Sequence, residues 1–129
     1  MIMDPERQCV LVVDDDEMIR DTLCELVEMA GCAALAAANG AEALKVLALH
    51  KPCLVILDLL MPVMTGQELL AAMRAKPALA EVPVVISTSA PDRAPAGVPI
   101  IPKPIDIAKV VEWMQRTCTC AVALPTPTS

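Results

Sequence analysis

The chain has 129 residues, of which 56% are hydrophobic and 20% charged, and its net charge is −6. This length suits one domain with a buried core, and the acidic balance argues against direct binding to nucleic acid, which requires a basic surface. The apolar runs are too short to cross a bilayer, and the N-terminus lacks the apolar stretch of a signal peptide. We therefore expect a cytoplasmic protein that does not associate with membranes.

Buried strands and amphipathic helices alternate along the chain. Short apolar runs predict strands at residues 9–13, 33–37, 53–57 and 84–87, and helical apolar spacing predicts helices at 17–30, 41–50, 66–75 and 106–117. Asp16 is expected to support the start of the first helix, and the tail at residues 121–129 is expected to be disordered. The alternation predicts one α/β domain over residues 1–120, with a doubly wound parallel sheet.

The six cysteines allow more than one interpretation. Without a secretion signal, disulfides are not expected, and Cys9 and Cys53 lie in apolar runs typical of buried strands. Cys118 and Cys120 form a CxC pair, but the sequence offers no second pair and no histidine at metal-site spacing. We therefore expect reduced, buried thiols and do not predict a metal site at this pair.

Acidic and polar residues follow the ends of several predicted strands. Ligands of doubly wound sheets bind outside the carboxyl ends of the strands. This rule places Asp14 to Asp16, Asp58, Thr88 and the region of Lys103 at one rim. Three ionised carboxylates there would repel by about 3 kcal/mol per pair at about 5 Å, with an effective dielectric constant near 20. A hard cation such as Mg²⁺ would offset this repulsion, and a nearby ammonium would help a carboxylate to accept a phosphoryl group.

Five segments carry a family resemblance, and they occur in the order "VLVVDDDEMIRDTL", "NGAEAL", "LVILDLLMPVMTG", "PVVISTSA" and "PKP". Together they resemble the successive signatures of response regulator receiver domains over most of the chain. The resemblance implies a flavodoxin-like fold, with five parallel strands in the order 2-1-3-4-5. It also implies a signalling switch of a two-component phosphorelay, which takes its phosphoryl group from a histidine kinase or a phosphotransfer protein.

The resemblance implies roles for three side chains and one peptide bond. Asp58 would be the phospho-acceptor, and the hydroxyl of Thr88 would move to bind the phosphoryl group. Lys103 would supply the ammonium, and its bond to Pro104 would be cis, an isomer found almost only before proline. The chain would then promote only its own phosphorylation and dephosphorylation, and would not be an enzyme acting on other substrates.

The resemblance also implies a set of Mg²⁺ ligands. Asp15 would bind the ion directly and Asp14 through water, while Asp58 would contribute its carboxylate. Leu60, two residues after the phospho-acceptor, would contribute its backbone carbonyl. These oxygen donors are the kind that Mg²⁺ prefers.

The sequence departs from the family between Thr88 and Lys103. Residues 89–102 include four prolines and must hold a loop, a helix and a strand. An average α-helix alone takes about 11–12 residues, and an interior proline costs about 3 kcal/mol. We therefore predict that the fourth helix is absent or reduced to a turn, with a short fifth strand at 98–101. Ile100 occupies the position of the family's aromatic switch residue, so the usual coupling cannot operate.

Two other classes of protein remain open at this stage. An aspartate-nucleophile phosphatase would place its nucleophile at the end of the first strand, in a DxD arrangement. A receiver-like scaffold that is not phosphorylated is the other alternative. Because no output domain fits in this chain, the output would pass to an unknown downstream protein. Trp113 could lie at a homodimer surface, although packing at the edge of the core is favoured.

Overall fold

The computed structural model describes residues 8–59, 61 and 63–120. The predicted disordered tail, residues 121–129, and the predicted metal ligand Leu60 lie outside the described residues. None of the helices in the described ranges is long and apolar enough to cross a membrane.

Five strands and four α-helices alternate along the described chain. Their bounds are β1 Cys9–Val13, α1 Glu17–Met29, β2 Ala33–Ala37, α2 Gly40–Leu47, β3 Leu54–Asp58, α3 Gly66–Arg74, β4 Val84–Thr88, β5 Ile100–Pro102 and α4 Ile107–Thr117. All strand pairs are parallel, and the order across the sheet is β2-β1-β3-β4-β5. The predicted doubly wound, flavodoxin-like fold is therefore confirmed.

Polar side chains fix where the helices begin. Asp16, Asn39 and Asp106 each accept backbone N–H groups at the starts of α1, α2 and α4. Thr65 and Glu68 form a capping box at the start of α3, in which each side chain accepts the other residue's backbone N–H. These caps satisfy donors that the first helical turn leaves without partners. They place the helix starts within one residue of the predicted positions.

The central strands are buried on both faces, as their continuous apolar runs predict. Every residue of β1 and β3 is buried. In β1, Leu11 and Val13 join the core beneath α2 and α3, whereas Val10 and Val12 join the core beneath α1 and α4. The sheet is thus covered on both faces, and the carboxyl ends of its parallel strands form one rim.

The segment between β4 and β5 contains a 3₁₀ turn, Pro91–Arg93, and no α-helix. This agrees with the prediction of a helix reduced to a turn. The residues that the structure describes still contain four α-helices, because α4 follows β5. The fifth strand begins at Ile100, two residues later than predicted. The reason is a turn at Gly97, whose φ is +84°, after which Val98 is buried in the core beneath α2 and α3.

Four cysteines form two disulfides, Cys32–Cys120 and Cys53–Cys118. The prediction of reduced thiols is wrong for these four. The partners are 88 and 65 residues apart in the sequence, so only the folded topology brings them together. Cys9 is buried and Cys24 half-buried, and both have free thiols, as predicted. Burial raises the pKa of both thiols, so they remain protonated at neutral pH.

Trp113 on α4 is partly buried against the core beneath α1 and α4. The guanidinium carbon of Arg116 lies 5.1 Å from the centre of its ring, a favourable cation–π contact. This environment is the core-edge packing that the sequence favours. A homodimer remains a prediction.

Candidate functional site

Three carboxylates converge at the carboxyl ends of β1 and β3. Oxygen atoms of Asp14, Asp15 and Asp58 lie within 4.8 Å of one another. Asp14 and Asp58 are only 2% and 5% exposed, whereas Asp15 is exposed. Strand topology therefore brings together three of the four acidic residues that the sequence assigns to one rim.

Lys103, which follows β5, reaches into this group. Its Nζ lies 3.1 Å from Asp14 Oδ2 and 3.5 Å from Asp58 Oδ1. Burial lowers the pKa of Lys103, but the hydrogen bond with Asp14 and the charges of Asp14 and Asp58 outweigh burial and leave the pKa raised. The ammonium is therefore protonated at neutral pH. The Lys103–Pro104 bond is cis, as the family resemblance implies.

The backbone and side chain of Asp14 are held on several sides. Its Oδ1 accepts the N–H of Asp16 at 2.9 Å, and its carbonyl oxygen accepts Arg20 Nη1 at 2.8 Å. Since Oδ2 bonds Lys103, both carboxylate oxygens of Asp14 have partners within the protein. Arg20 was not singled out from the sequence, because a charged residue in a helix usually lies on a solvated face.

Asp16 stands apart from the three carboxylates that converge. Its Oδ1 accepts the N–H groups of Met18 at 2.9 Å and Ile19 at 3.3 Å, which caps α1. This is the supporting role that the sequence predicts for Asp16.

Thr88 ends β4 and is 1% exposed. Its Oγ1 accepts the N–H of Ala90 at 3.0 Å, and its carbonyl oxygen accepts the N–H of Lys103 at 2.9 Å. The preceding residue, Ser87, pairs in register with Asp58. Thr88 therefore lies beside the strand that carries Asp58 and is tied to Lys103.

Ser87 is a polar residue that sequence reasoning missed. Its hydroxyl is buried, and no hydrogen-bond partner for it occurs among residues 8–59, 61 and 63–120. Ser87 is the register partner of Asp58 on the neighbouring strand. A serine near the end of an apolar run carries no sequence signal of such a position.

Gly66 packs against the backbone that carries Asp58. A Cβ placed on Gly66 would lie 2.6 Å from the carbonyl oxygen of Asp58 and 2.9 Å from the Cα of Leu59. Backbone atoms cannot rotate away, so we expect Gly66→Ala to lower the free energy of unfolding by about 1–3 kcal/mol, the usual cost of overpacking. Urea unfolding measures this loss.

The matched control for Gly66 is Gly97→Ala. A Cβ there meets nothing within 4 Å, but the φ of +84° costs a side chain about 1–2 kcal/mol. Gly97→Ala should leave the carboxylate group intact, whereas Gly66→Ala should also displace the backbone that carries Asp58. An unfolding free energy of Gly66→Ala equal to that of the unmodified chain would contradict this expectation.

The fold agrees with a comparison against protein families. The chain matches the family model for the response regulator receiver domain over residues 10–115. It belongs to the receiver-domain family. As a receiver domain, it is a phosphorylatable signalling switch of the two-component type.

Relatives and solved structures support this assignment of the receiver domain. The DNA-binding transcriptional regulator NtrC of Escherichia coli is 34% identical over 118 residues, covering 86% of this chain and 25% of NtrC. An uncharacterized 14.6 kDa protein of Leptolyngbya boryana is 34% identical over 116 residues, covering 84% of this chain and 88% of that protein. The crystal structure of a response regulator receiver protein from Pseudomonas putida matches with a TM-score of 0.76 and 30% identity, covering 85% of this chain and 97% of that one.

The match to larger relatives is partial. The receiver domain spans between 25% and 37% of the length of the transcriptional regulators it matches. The similarity to these regulators therefore covers only part of each of them.

Proposed function

We propose that Asp58 accepts a phosphoryl group from a histidine kinase or a phosphotransfer protein, in the cytoplasm, and that the phosphorylated chain acts on a downstream protein. One observation carries the proposal. The buried Asp58 carboxylate lies in a group of three carboxylates and faces the ammonium of Lys103 at 3.5 Å. A carboxylate nucleophile requires that the incoming negative charge is neutralised by such cationic groups.

The carboxylates would hold Mg²⁺, which neutralises phosphoryl oxygens when bound. Their oxygens are hard donors, and their separation of at most 4.8 Å suits a single ion. Asp15 is exposed and can bind the ion directly. Both oxygens of Asp14 already have protein partners, which favours contact through water. The backbone carbonyl of Leu60 stays a predicted ligand.

Lys103 and Thr88 would bind the phosphoryl group from the side of β4 and β5. The raised pKa of Lys103 keeps a positive charge beside Asp58. The Thr88 Oγ1 accepts the N–H of Ala90, which leaves the hydroxyl proton available to a phosphoryl oxygen.

The position of Asp16 disfavours the phosphatase alternative. A phosphatase with Asp14 as nucleophile would use the second aspartate of the DxD pair beside it, whereas Asp16 caps α1. Asp14 also has both carboxylate oxygens engaged, so it is poorly placed to attack phosphorus. We therefore propose a phospho-acceptor that is not an enzyme acting on other substrates.

Phosphorylation by a small acyl phosphate tests the proposal. With Mg²⁺ present, intact mass spectrometry should show the addition of one phosphoryl group, and peptide mapping should locate it on Asp58. A chelator should prevent the reaction, because the carboxylates would then repel the incoming phosphate. Modification of Asp14, or equal modification without a divalent cation, would contradict the proposal.

The proline segment, residues 89–99, is the element that we expect to respond. Binding of the Thr88 hydroxyl to a phosphoryl group would move Oγ1 away from the N–H of Ala90, which it now accepts. An acyl-phosphate mimic should therefore change amide hydrogen exchange across this segment several-fold. The Asp58→Asn variant, given the same mimic, is the control. Identical exchange with and without the mimic in the unmodified chain would refute this route.

A further inference from the structure

Four cysteines meet at the amino ends of the strands, on the edge of the sheet opposite the carboxylates. Cys32 and Cys53 directly precede β2 and β3, and Cys118 and Cys120 follow α4. The Sγ atoms of Cys32, Cys118 and Cys120 lie within 4.8 Å of one another, and Cys53 is bonded to Cys118. A five-residue strand, about 17 Å long, separates this cysteine cluster from Asp58.

We propose that the cysteine cluster, when reduced, binds one zinc ion through four thiolates, and that the two disulfides are the metal-free oxidised form of the same site. Zinc bound by four sulfurs is tetrahedral with Zn–S of about 2.3 Å, which places neighbouring sulfurs about 3.8 Å apart. The Sγ atoms of Cys32, Cys118 and Cys120 already lie within 4.8 Å of one another, and Cys53 is held beside them by its bond to Cys118.

The donor set determines the class of metal. Every member of the cluster is a cysteine, and soft thiolate ligands select zinc or similar thiophilic cations over Mg²⁺. The oxygen donors at the other rim have the opposite preference. The chain would thus have two cation sites of different chemistry, one at each end of the sheet.

Contacts other than the disulfides hold the cluster together. The Gln8 side chain accepts the N–H of Thr119 at 2.5 Å, the hydroxyl of Thr119 at 2.9 Å and the N–H of Cys120 at 3.0 Å. Gly31, with φ of +104°, leaves room for the carbonyl oxygen of Cys120, which would lie 2.6 Å from a Cβ there. The segment 118–120 therefore stays beside β2 when the S–S bonds open.

Burial makes a cation favourable in the reduced state. Cys32 is fully buried and Cys118 is 4% exposed. Thiolates in such surroundings require a compensating charge, because an isolated buried ion is costly. A dication bound by all four sulfurs supplies that charge, and binding releases the four thiol protons.

The oxidised and reduced forms interconvert by a balanced reaction. Two molecules of hydrogen peroxide take four electrons from the four zinc-bound thiolates and take up four protons. The products are two disulfides, four water molecules and free Zn²⁺. A dithiol reductant reverses the change, because it returns two electrons and two protons to each disulfide.

Cobalt titration of the reduced chain tests the proposal. The full chain is reduced with a phosphine, desalted without oxygen and titrated with Co²⁺, then with Zn²⁺. We expect one equivalent of Co²⁺ to give the thiolate charge-transfer and visible bands of a tetrahedral all-sulfur site, and Zn²⁺ to displace it. Binding is measured whether or not the reduced chain is folded, since metal binding and folding are coupled.

Variants separate this site from the rest of the molecule. Cys118→Ser and Cys53→Ser should each lower cobalt affinity by more than about a hundredfold. Such a loss is larger than the usual effect of removing a group that only hydrogen-bonds to a metal ligand. Cys24→Ser, which removes a free thiol outside the cluster, should bind cobalt normally. The proposal is overturned if the reduced chain gives no one-to-one cobalt spectrum, or if that spectrum persists in Cys118→Ser or in the oxidised chain.

Discussion

Replacing Asp58 by asparagine should abolish phosphorylation of the chain. The amide keeps the size of the buried side chain but lacks a nucleophilic carboxylate, so no acyl phosphate can form. The fold should persist, because the change removes one of three mutually repelling charges, while Lys103 keeps its 3.1 Å contact with Asp14. Radiolabel transfer from a small phosphodonor, measured beside urea unfolding, checks both expectations.

Asp16→Asn is the matched control for this substitution. Asparagine caps a helix about as well as aspartate, so α1 should be unaffected. Asp16 also lies outside the group of converging carboxylates. The phosphorylation rate of the Asp16→Asn variant should therefore stay within about twofold of the rate of the unmodified chain, which is a change of less than about 0.5 kcal/mol in activation free energy. Label that survives in Asp58→Asn and maps to Asp14 would instead favour the phosphatase alternative.

The fold could be predicted because each element has its own local signal. Five-residue apolar runs such as Cys9–Val13, when they alternate with helices, indicate buried strands of a parallel sheet. The rim residues followed from the same step, because parallel strands place their carboxyl ends together. The prolines of residues 89–102, together with the shortness of this segment relative to what the family needs there, predicted the reduced segment between β4 and β5. Local pattern is therefore sufficient wherever position along a strand determines position in space.

Other features depend on side-chain placement that no local pattern encodes. The 3.1 Å and 3.5 Å distances from Lys103 to its two carboxylates require the whole sheet. The buried Ser87 hydroxyl opposite Asp58 depends on strand register, which a single serine does not reveal. The sequence can thus assign residues to a rim, but not the contacts among them.

The disulfides show the same limit most clearly. Cys32 and Cys120 are 88 residues apart, and neither has a neighbour that marks it for pairing. The expectation of reduced thiols came from a proposed cellular compartment and from local apolar character. Neither argument predicts the course of the chain after α4, and it is this course that brings segment 118–120 to the amino ends of β2 and β3.

Reducing both disulfides should lower the free energy of unfolding by at least about 3 kcal/mol. The bonds Cys32–Cys120 and Cys53–Cys118 span 88 and 65 residues, and loops of this size restrict the unfolded chain by about 4 kcal/mol each. Once Cys32–Cys120 has formed, the shortest covalent path from Cys53 to Cys118 runs through that bond and spans only about two dozen residues. The second disulfide therefore adds less to the free energy of unfolding than it would alone. Such a loss is a large share of the roughly 5–15 kcal/mol that stabilises a typical domain.

Urea unfolding with and without a phosphine reductant, both with a chelator, measures this loss. Thiol counting in denaturant fixes the starting state, since the oxidised chain should show two free thiols, from Cys9 and Cys24, and the reduced chain six. Cys24→Ser should lose as much stability on reduction as the unmodified chain. The double variant Cys118→Ser/Cys120→Ser should not respond to reductant. Equal unfolding midpoints for the oxidised and reduced chains would mean that Gln8 and the packing over Gly31 alone hold segment 118–120, without help from the S–S bonds.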